Sequence, residues 1–331
     1  MVEAIAWVLL GLVLLYYGAE SLVYGASTFA LAMGLTPLIV GLTVVAYGTS
    51  LPELAVSVTA SSKGQGAMAI GNVIGSNICN IGIVLGVAAL CRQLVVTKET
   101  THVYVPFMIA SSFLVTFFLL DGELDRTEGF GLTVGIIAYT VFGIRRARAQ
   151  VKRQREAEEG EVVQTPEDGP KVDEAEDQPV IEKTPIWKPL CMLFLGFALL
   201  LIGGRVLVSG AVVLAQQLGV SEVIIALTVV AFGTSAPDLA ASAVAAMKGE
   251  GEMAAGNAIG SVIFNLLNVL GIAALVAPID AGAIDRSDHI VQLCFIAASF
   301  PLLVIGFKMR RWQGGLCVAA YLGYVIYRWP A

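Results

Sequence analysis

Glu53 and Asp238 are acidic residues embedded in apolar sequence, each at the end of the same motif. One copy reads Leu42-Thr-Val-Val-Ala-Tyr-Gly-Thr-Ser-Leu-Pro-Glu53, the other Leu227-Thr-Val-Val-Ala-Phe-Gly-Thr-Ser-Ala-Pro-Asp238. The offset of 185 residues (238 − 53) holds without a gap through a second block, Gly71-Asn72-Val-Ile-Gly-Ser76-Asn-Ile-Cys-Asn80 against Gly256-Asn257-Ala-Ile-Gly-Ser261-Val-Ile-Phe-Asn265. An ionised carboxylate in hydrocarbon costs about 3 kcal/mol, so one found there faces a cavity, a partner charge or a bound cation. Two of them, repeated by symmetry, point to a cation site.

The neighbouring residues supply further oxygens. Thr49 and Ser50 precede Glu53 by four and three positions, on its helix face, and Thr234 and Ser235 do the same for Asp238. Pro52 and Pro237 cannot donate to the preceding turn and Gly48 and Gly233 loosen it, which predicts freed carbonyls near Ala46 and Ala231. Asn72, Ser76 and Asn80 step by four, as do Asn257, Ser261 and Asn265, so each trio makes one polar stripe on an apolar helix. Carboxylate, carbonyl, hydroxyl and amide oxygens suit calcium or sodium better than copper, zinc or iron. Small and hydroxylated residues also let membrane helices pack closely, and that reading stays open for Thr49, Ser76 and Asn72 taken singly.

Composition says what must position these groups. With 57% hydrophobic and 14% charged residues over 331 positions, the chain is an all-α polytopic membrane protein. Apolar runs predict ten transmembrane helices, at about 4–24, 35–62, 68–91, 103–120 and 129–147, then 186–208, 219–246, 254–277, 289–307 and 313–329. The first repeat of five spans covers 1–148, with its motif at 41–86, and the second covers 186–331, with its motif at 226–271. Between them, 149–185 is rich in Glu, Asp, Gln and Pro and reads as a disordered cytoplasmic tether holding most of the acidic surplus behind the net charge of −6. The tether lacks an EF-hand pattern. The five cysteines lie in or beside apolar spans as free small hydrophobes. Glu3 ahead of the first span, with no basic segment, argues against a cleaved signal peptide.

Basic residues set the orientation. Arg145, Arg146, Arg148, Lys152, Arg153 and Arg155 close the fifth span and put the linker in the cytoplasm. Counting crossings then places both termini outside, with Arg92, Lys98, Lys248, Lys308, Arg310 and Arg311 inside. Lys63, Arg126, Arg286 and Arg328 fall outside, beside the acidic loops 121–128 and 280–288. With five spans per half, the two repeats have inverted topology, and one site between them could be reached from either face. Glu20 and Arg205 occupy equivalent positions (205 − 20 = 185) with opposite signs, which suits an interfacial or ion-pair role rather than a symmetric ligand.

The paired blocks resemble the α-repeats of the calcium/cation antiporter superfamily, most closely its sodium/calcium exchanger branch, over most of the chain apart from the linker. The resemblance implies ten helices and exchange of sodium against calcium by alternating access, with no cofactor beyond the transported ions. It implies Glu53 and Asp238 as central ligands, with Thr49, Ser50, Ser76, Thr234, Ser235 and Ser261 supplying oxygens, Asn80 and Asn265 closing the motifs, and Asn72 and Asn257 orienting or lining the site. Several relatives carry Glu in both repeats, so Asp238 is one methylene short. In the potassium-dependent branch an Asp stands where Asn265 does, so Asn265 leans against potassium use. The proton-coupled branch usually has a different motif in place of Gly-Thr-Ser-x-Pro, which makes proton/calcium exchange the runner-up.

No metalloprotease, serine-hydrolase or P-loop signature occurs, which disfavours an enzyme and ATP-driven transport. The expectation is an electrogenic antiporter of a prokaryotic plasma membrane, a monomer or weak homo-oligomer with lipid, sodium and calcium as partners and no nucleic acid. A cation channel and a scaffolding membrane protein are the readings from other classes.

Overall fold

The computed structural model of the chain describes residues 1–162, 185–218, 231–282 and 286–328. Most of these are helical, because an apolar chain in lipid can satisfy its backbone polar groups only internally. The first half contains α1 (Val2–Met33), α2 (Pro37–Thr49), α3 (Leu51–Ser62), α4 (Gly66–Cys91), α5 (Thr100–Asp121) and α6 (Arg126–Val162). The second contains α7 (Trp187–Gln217), α8 (Ala231–Thr234), α9 (Ala236–Met247), α10 (Gly251–Val276), α11 (Arg286–Val304) and α12 (Arg311–Arg328). Among the described residues seven helices are long and apolar enough to cross a membrane, and the bent pair α2 and α3 makes an eighth candidate span.

Burial separates the helices into a core and a lipid-facing layer. In α4 and α10, 83% and 78% of the most apolar stretch is buried, against 28% in α1 and in α7. Each core helix also carries one widened π-helical turn, Asn80–Val84 in α4 and Asn265–Val269 in α10, which starts at the last Asn of its motif. Such turns recur at functional sites because they disturb the regular backbone ladder.

The outer helices α1 and α7 run antiparallel in close contact. Gly11, Gly18 and Gly25 face Leu207, Leu200 and Leu193, while Gly196, Gly203 and Gly210 face Leu22, Leu15 and Trp7. The seven-residue spacing keeps the glycines on one stripe, so the two backbones approach as only small residues permit. A Cβ at Gly203 would meet the Leu14 Cβ and the Leu15 nitrogen at 2.9 Å. Gly203→Leu is therefore expected to lower Tm, overpacking of this kind costing about 1–3 kcal/mol; thermal unfolding in detergent checks it, and an unchanged Tm would contradict the packing account.

Short strands tie the loops together at the two ends of the bundle. Strand β1 (Leu94–Val95) pairs antiparallel with β4 (Lys308–Met309), and β2 (Glu123–Leu124) with β3 (Ile279–Asp280). The pairings Leu94 with Met309 and Leu124 with Ile279 are the same pairing shifted by 185 residues in each strand. At the first end, Glu99 bonds Arg146 and Arg311 donates to the Cys91 carbonyl at 3.1 Å. At the second, Arg126 donates to the Val276 carbonyl at 3.3 Å and Arg328 pairs with Asp288 at 2.8 Å. Each charge cluster thus gathers loops that the sequence assigned to a common membrane face.

Two expectations change. Helix α6 continues to Val162, into the stretch expected as a disordered tether, because 149–162 is dominated by Gln, Lys, Arg, Glu and Ala, which lose little freedom in a helix. The rest of the linker, 163–184, lies outside the described residues. The ten expected spans are met by eight candidates, since 219–230 of the seventh also lies outside the described residues and α12 is less apolar, with Arg311, Gln313 and Arg328 along its length. Glu20 forms an ion pair with Lys248 at 3.0 Å, in line with an ion-pair role, whereas Arg205 has no ion-pair partner among the described residues and lines a cavity of about 490 Å³ beside Thr234 and Pro237.

Candidate cation site

The two acidic motifs fold alike. Helix α2 ends at Thr49, Ser50 leaves helical geometry at φ −85, ψ 3, and α3 starts afresh with Pro52 in its first turn at an angle of 46° to α2. In the second motif α8 ends at Thr234, Ser235 has φ −86, ψ 0, and α9 starts with Pro237 in the same place. Proline suits a first helical turn, where its missing N–H costs nothing. Each break puts its acid in the first turn of a half-helix, Glu53 in α3 and Asp238 in α9, where unpaired N–H groups and the helix dipole favour negative charge.

Close packing then brings the halves together. A Cβ at Gly260 of α10 would meet the Ala46 Cβ and the Leu42 carbonyl oxygen at 2.8 Å, and one at Gly41 of α2 would meet the Met253 carbonyl oxygen at 2.6 Å. Helix α2 of one motif therefore crosses α10 of the other with no room for a side chain at the crossing. Glu53 and Asp238 are both fully buried, and Asp238 lies within Coulombic reach of Glu53.

Around each acid runs the same clasp. Asn257 donates to the Asp238 main-chain oxygen at 3.4 Å and to the Ser242 hydroxyl at 2.9 Å, and Asn72 donates to the Glu53 main-chain oxygen at 3.1 Å and to the Ser57 hydroxyl at 2.9 Å. Ser242 and Ser57 in turn donate to the Ala254 and Ala69 carbonyls. The sequence reading missed these serines. Their signal was present: each follows its acid by four residues, and they too are 185 apart.

The two acids differ in their side-chain bonds. Asp238 Oδ1 accepts from Ser261 at 2.7 Å and from Asn257 at 3.2 Å. Both Glu53 oxygens are buried with no hydrogen bond, the Ser76 and Thr234 hydroxyls and Asp238 being the groups that act on its charge. The shorter acid is held against its own half, and the longer one has the Ser76 and Thr234 hydroxyls near it but no formed hydrogen bond. The Thr49 hydroxyl lies 3.3 Å from Asn257 Oδ1 and so links the halves, while also lying 3.0 Å from the Val45 carbonyl oxygen.

The remaining expected residues fall as follows. Ser50 Oγ, Ser235 Oγ, Asn80 Oδ1, Asp238 Oδ2 and Asn265 Oδ1 are buried without a hydrogen bond. Thr234 is half-buried. The Ala46 carbonyl is not freed by the break as expected: it accepts the Ser50 N–H at 3.0 Å, because the chain turns within helical reach before Pro52, and the Thr49 hydroxyl lies 3.3 Å from it. Ala231 opens α8, and the stretch before it lies outside the described residues. A buried polar atom without a partner costs about 1–3 kcal/mol, yet most of the unpartnered buried oxygens among the described residues sit on this one set of side chains. Oxygens so arranged can surround a dehydrated hard cation.

The profile of the family described as sodium/calcium exchanger protein matches residues 3–145 and 188–329. Sodium/calcium exchanger MaX1 of Methanosarcina acetivorans is 31% identical, over 96% of each chain. Inner membrane protein YrbG of Escherichia coli is 37% identical, over 92% of this chain and 89% of that one. Among solved structures, the sodium-calcium exchanger NCX_Mj soaked with sodium and strontium superposes with a TM-score of 0.81 at 29% identity, covering 100% of this chain and 99% of that one. The chain belongs to the sodium/calcium exchanger family of membrane antiporters.

Proposed function

We propose that the protein exchanges sodium for calcium by alternating access, electrogenically and without potassium, at one site built around Glu53 and Asp238. The observation that carries this is the pair of fully buried carboxylates, one from each half, on half-helices broken in the same way at Ser50 and Ser235. Glu53, Asp238, Thr49, Ser50, Ser76, Asn80, Thr234, Ser235, Ser261 and Asn265 supply side-chain oxygens, Ala46 and Ala231 supply main-chain oxygens, and Asn72 and Asn257 hold the acids in place. Calcium and sodium compete because both need the same two negative charges, and at low effective dielectric a calcium ion and a full sodium load repel each other strongly. Asn265, an amide rather than an acid, leaves potassium without an extra charge to bind.

The proposed architecture is ten helices in two inverted repeats, 1–148 and 186–331, joined by a cytoplasmic segment within 149–185. The matching strand pairings at opposite ends of the bundle and the shared 185-residue spacing support it. At 18 residues, α12 is about 27 Å long, near the thickness of the hydrocarbon layer. The face bearing Arg92, Arg146, Lys308 and Arg311 is the cytoplasmic one, because it carries the basic excess. That puts both termini outside, in a plasma membrane as the name of the Escherichia coli relative suggests.

The test is uptake of radioactive calcium into proteoliposomes loaded with sodium and diluted into sodium-free buffer. Uptake should require internal sodium, be indifferent to potassium, and grow when a clamped voltage makes the lumen positive, because several sodium ions carry more charge out than one calcium carries in. Uptake driven by a proton gradient alone would assign the chain to proton/calcium exchange, and flux that ignores the opposing ion would make it a channel.

A further inference from the structure

Asn77 lies in α4 between Ser76 and Asn80 but off their four-residue stripe, and its counterpart in the second half is Val262 (262 − 185 = 77). It is fully buried, and its Oδ1 accepts the Nδ2–H of Asn265 at 3.2 Å, across the boundary between the halves. An amide can offer a cation only its oxygen. The bond to Asn77 occupies the nitrogen end of Asn265 and leaves its Oδ1 buried with no partner. Asn265 follows Ser261, which touches Asp238, by one helical turn, and the widened turn that it begins packs against α3, the helix bearing Glu53.

Asn80, the counterpart of Asn265, has no such support. The position that would match Asn77 holds Val262, which cannot accept a hydrogen bond, and both Nδ2 and Oδ1 of Asn80 are buried without a partner. The two amides look equivalent in the sequence, but Asn265 has its nitrogen engaged by Asn77, whose own Nδ2 is buried without a partner, whereas neither end of Asn80 is engaged. We propose that Asn77 is a positioning residue for cation binding: it locks the Asn265 amide so that its carbonyl oxygen, never its NH2 group, is presented to the transported ion. This rests on the reading of the Glu53 and Asp238 cluster as the exchange site. Fixing a ligand group in its bound orientation before the ion arrives raises affinity by removing the cost of ordering it.

The test exploits the difference between an amide and a carboxylate. Asn77→Val removes the acceptor, and the half-saturating calcium concentration for exchange is expected to rise about tenfold, the usual scale for losing a group that orients a ligand, with little change in maximal rate. In an Asn265→Asp background an oxygen is presented in either orientation, so adding Asn77→Val should change half-saturation by less than about twofold. Asn77→Ser, smaller and still polar, is the second variant should Asn77→Val not fold, and the same cycle is read with it. An unchanged half-saturation in Asn77→Val, or an equal rise in both backgrounds, would overturn the positioning role. Glu53→Gln run alongside separates the two levels: exchange surviving in that variant would refute the site itself, whereas a silent Asn77→Val beside an inactive Glu53→Gln refutes only the role of Asn77.

Discussion

Glu53→Gln will reduce sodium-driven calcium uptake to the level of protein-free liposomes while the protein remains folded. The variant is nearly isosteric and removes a carboxylate whose two oxygens have no hydrogen bond within the protein. Losing one member of a buried charge pairing costs about 3–5 kcal/mol, which corresponds to at least a hundredfold in cation affinity at about 1.4 kcal/mol per factor of ten. Folding should be spared for the same structural reason. Glu53 makes no side-chain bond to lose, and Gln removes its repulsion with Asp238. Tm without calcium is therefore expected to equal or exceed that of the wild type, and calcium, which should raise the wild-type Tm by binding only the folded state, should no longer raise it. Thermal unfolding with and without calcium, alongside the flux assay, reads both effects.

Asn257→Ala is expected to have the second largest effect, with calcium half-saturation rising by about 10–100-fold and Tm falling. One amide here spans the two halves, with Oδ1 beside Thr49 and Nδ2 directed at Asp238 and Ser242. Alanine would leave these buried groups unpaired at about 1–3 kcal/mol each and release Asp238 on one side. Asn72→Ala supplies the internal comparison. Asn72 makes the same bonds to its serine and to the main chain of its acid, but it is half-buried and does not hold the Glu53 carboxylate. Its effect on half-saturation should be several-fold smaller, and equal effects would mean that the clasp to Asp238 is not what matters.

The contrast between these asparagines shows where the sequence could be read and where it could not. A gap-free 185-residue repeat with acids in apolar surroundings discloses the helix breaks, the membrane setting and the family, because proline, glycine and carboxylate each have few uses in hydrocarbon. It also makes the two halves look equal. The inequality between Glu53 and Asp238 depends on one methylene and on which hydroxyl lies within 3 Å, and spacing along a helix does not carry that information. Ser57 and Ser242 were detectable in principle from their periodicity, but serine in a membrane helix is common enough to read as packing. The bond from Asn265 to Asn77 crosses from one half to the other and so leaves no trace in either repeat alone. The continuation of α6 to Val162 was missed for another reason: high charge density suggested a soluble tether, yet the same residues are good helix formers.

Sharing of one site by two ions is the core of the account, and titration of calcium into the purified protein at a series of sodium concentrations tests it most directly. Sodium should raise the apparent Kd for calcium without reducing the number of sites, and more steeply than in proportion to its concentration, because several sodium ions replace one calcium. A calcium Kd unmoved by sodium, or calcium binding that persists unchanged when both Glu53→Gln and Asp238→Asn are introduced, would contradict it.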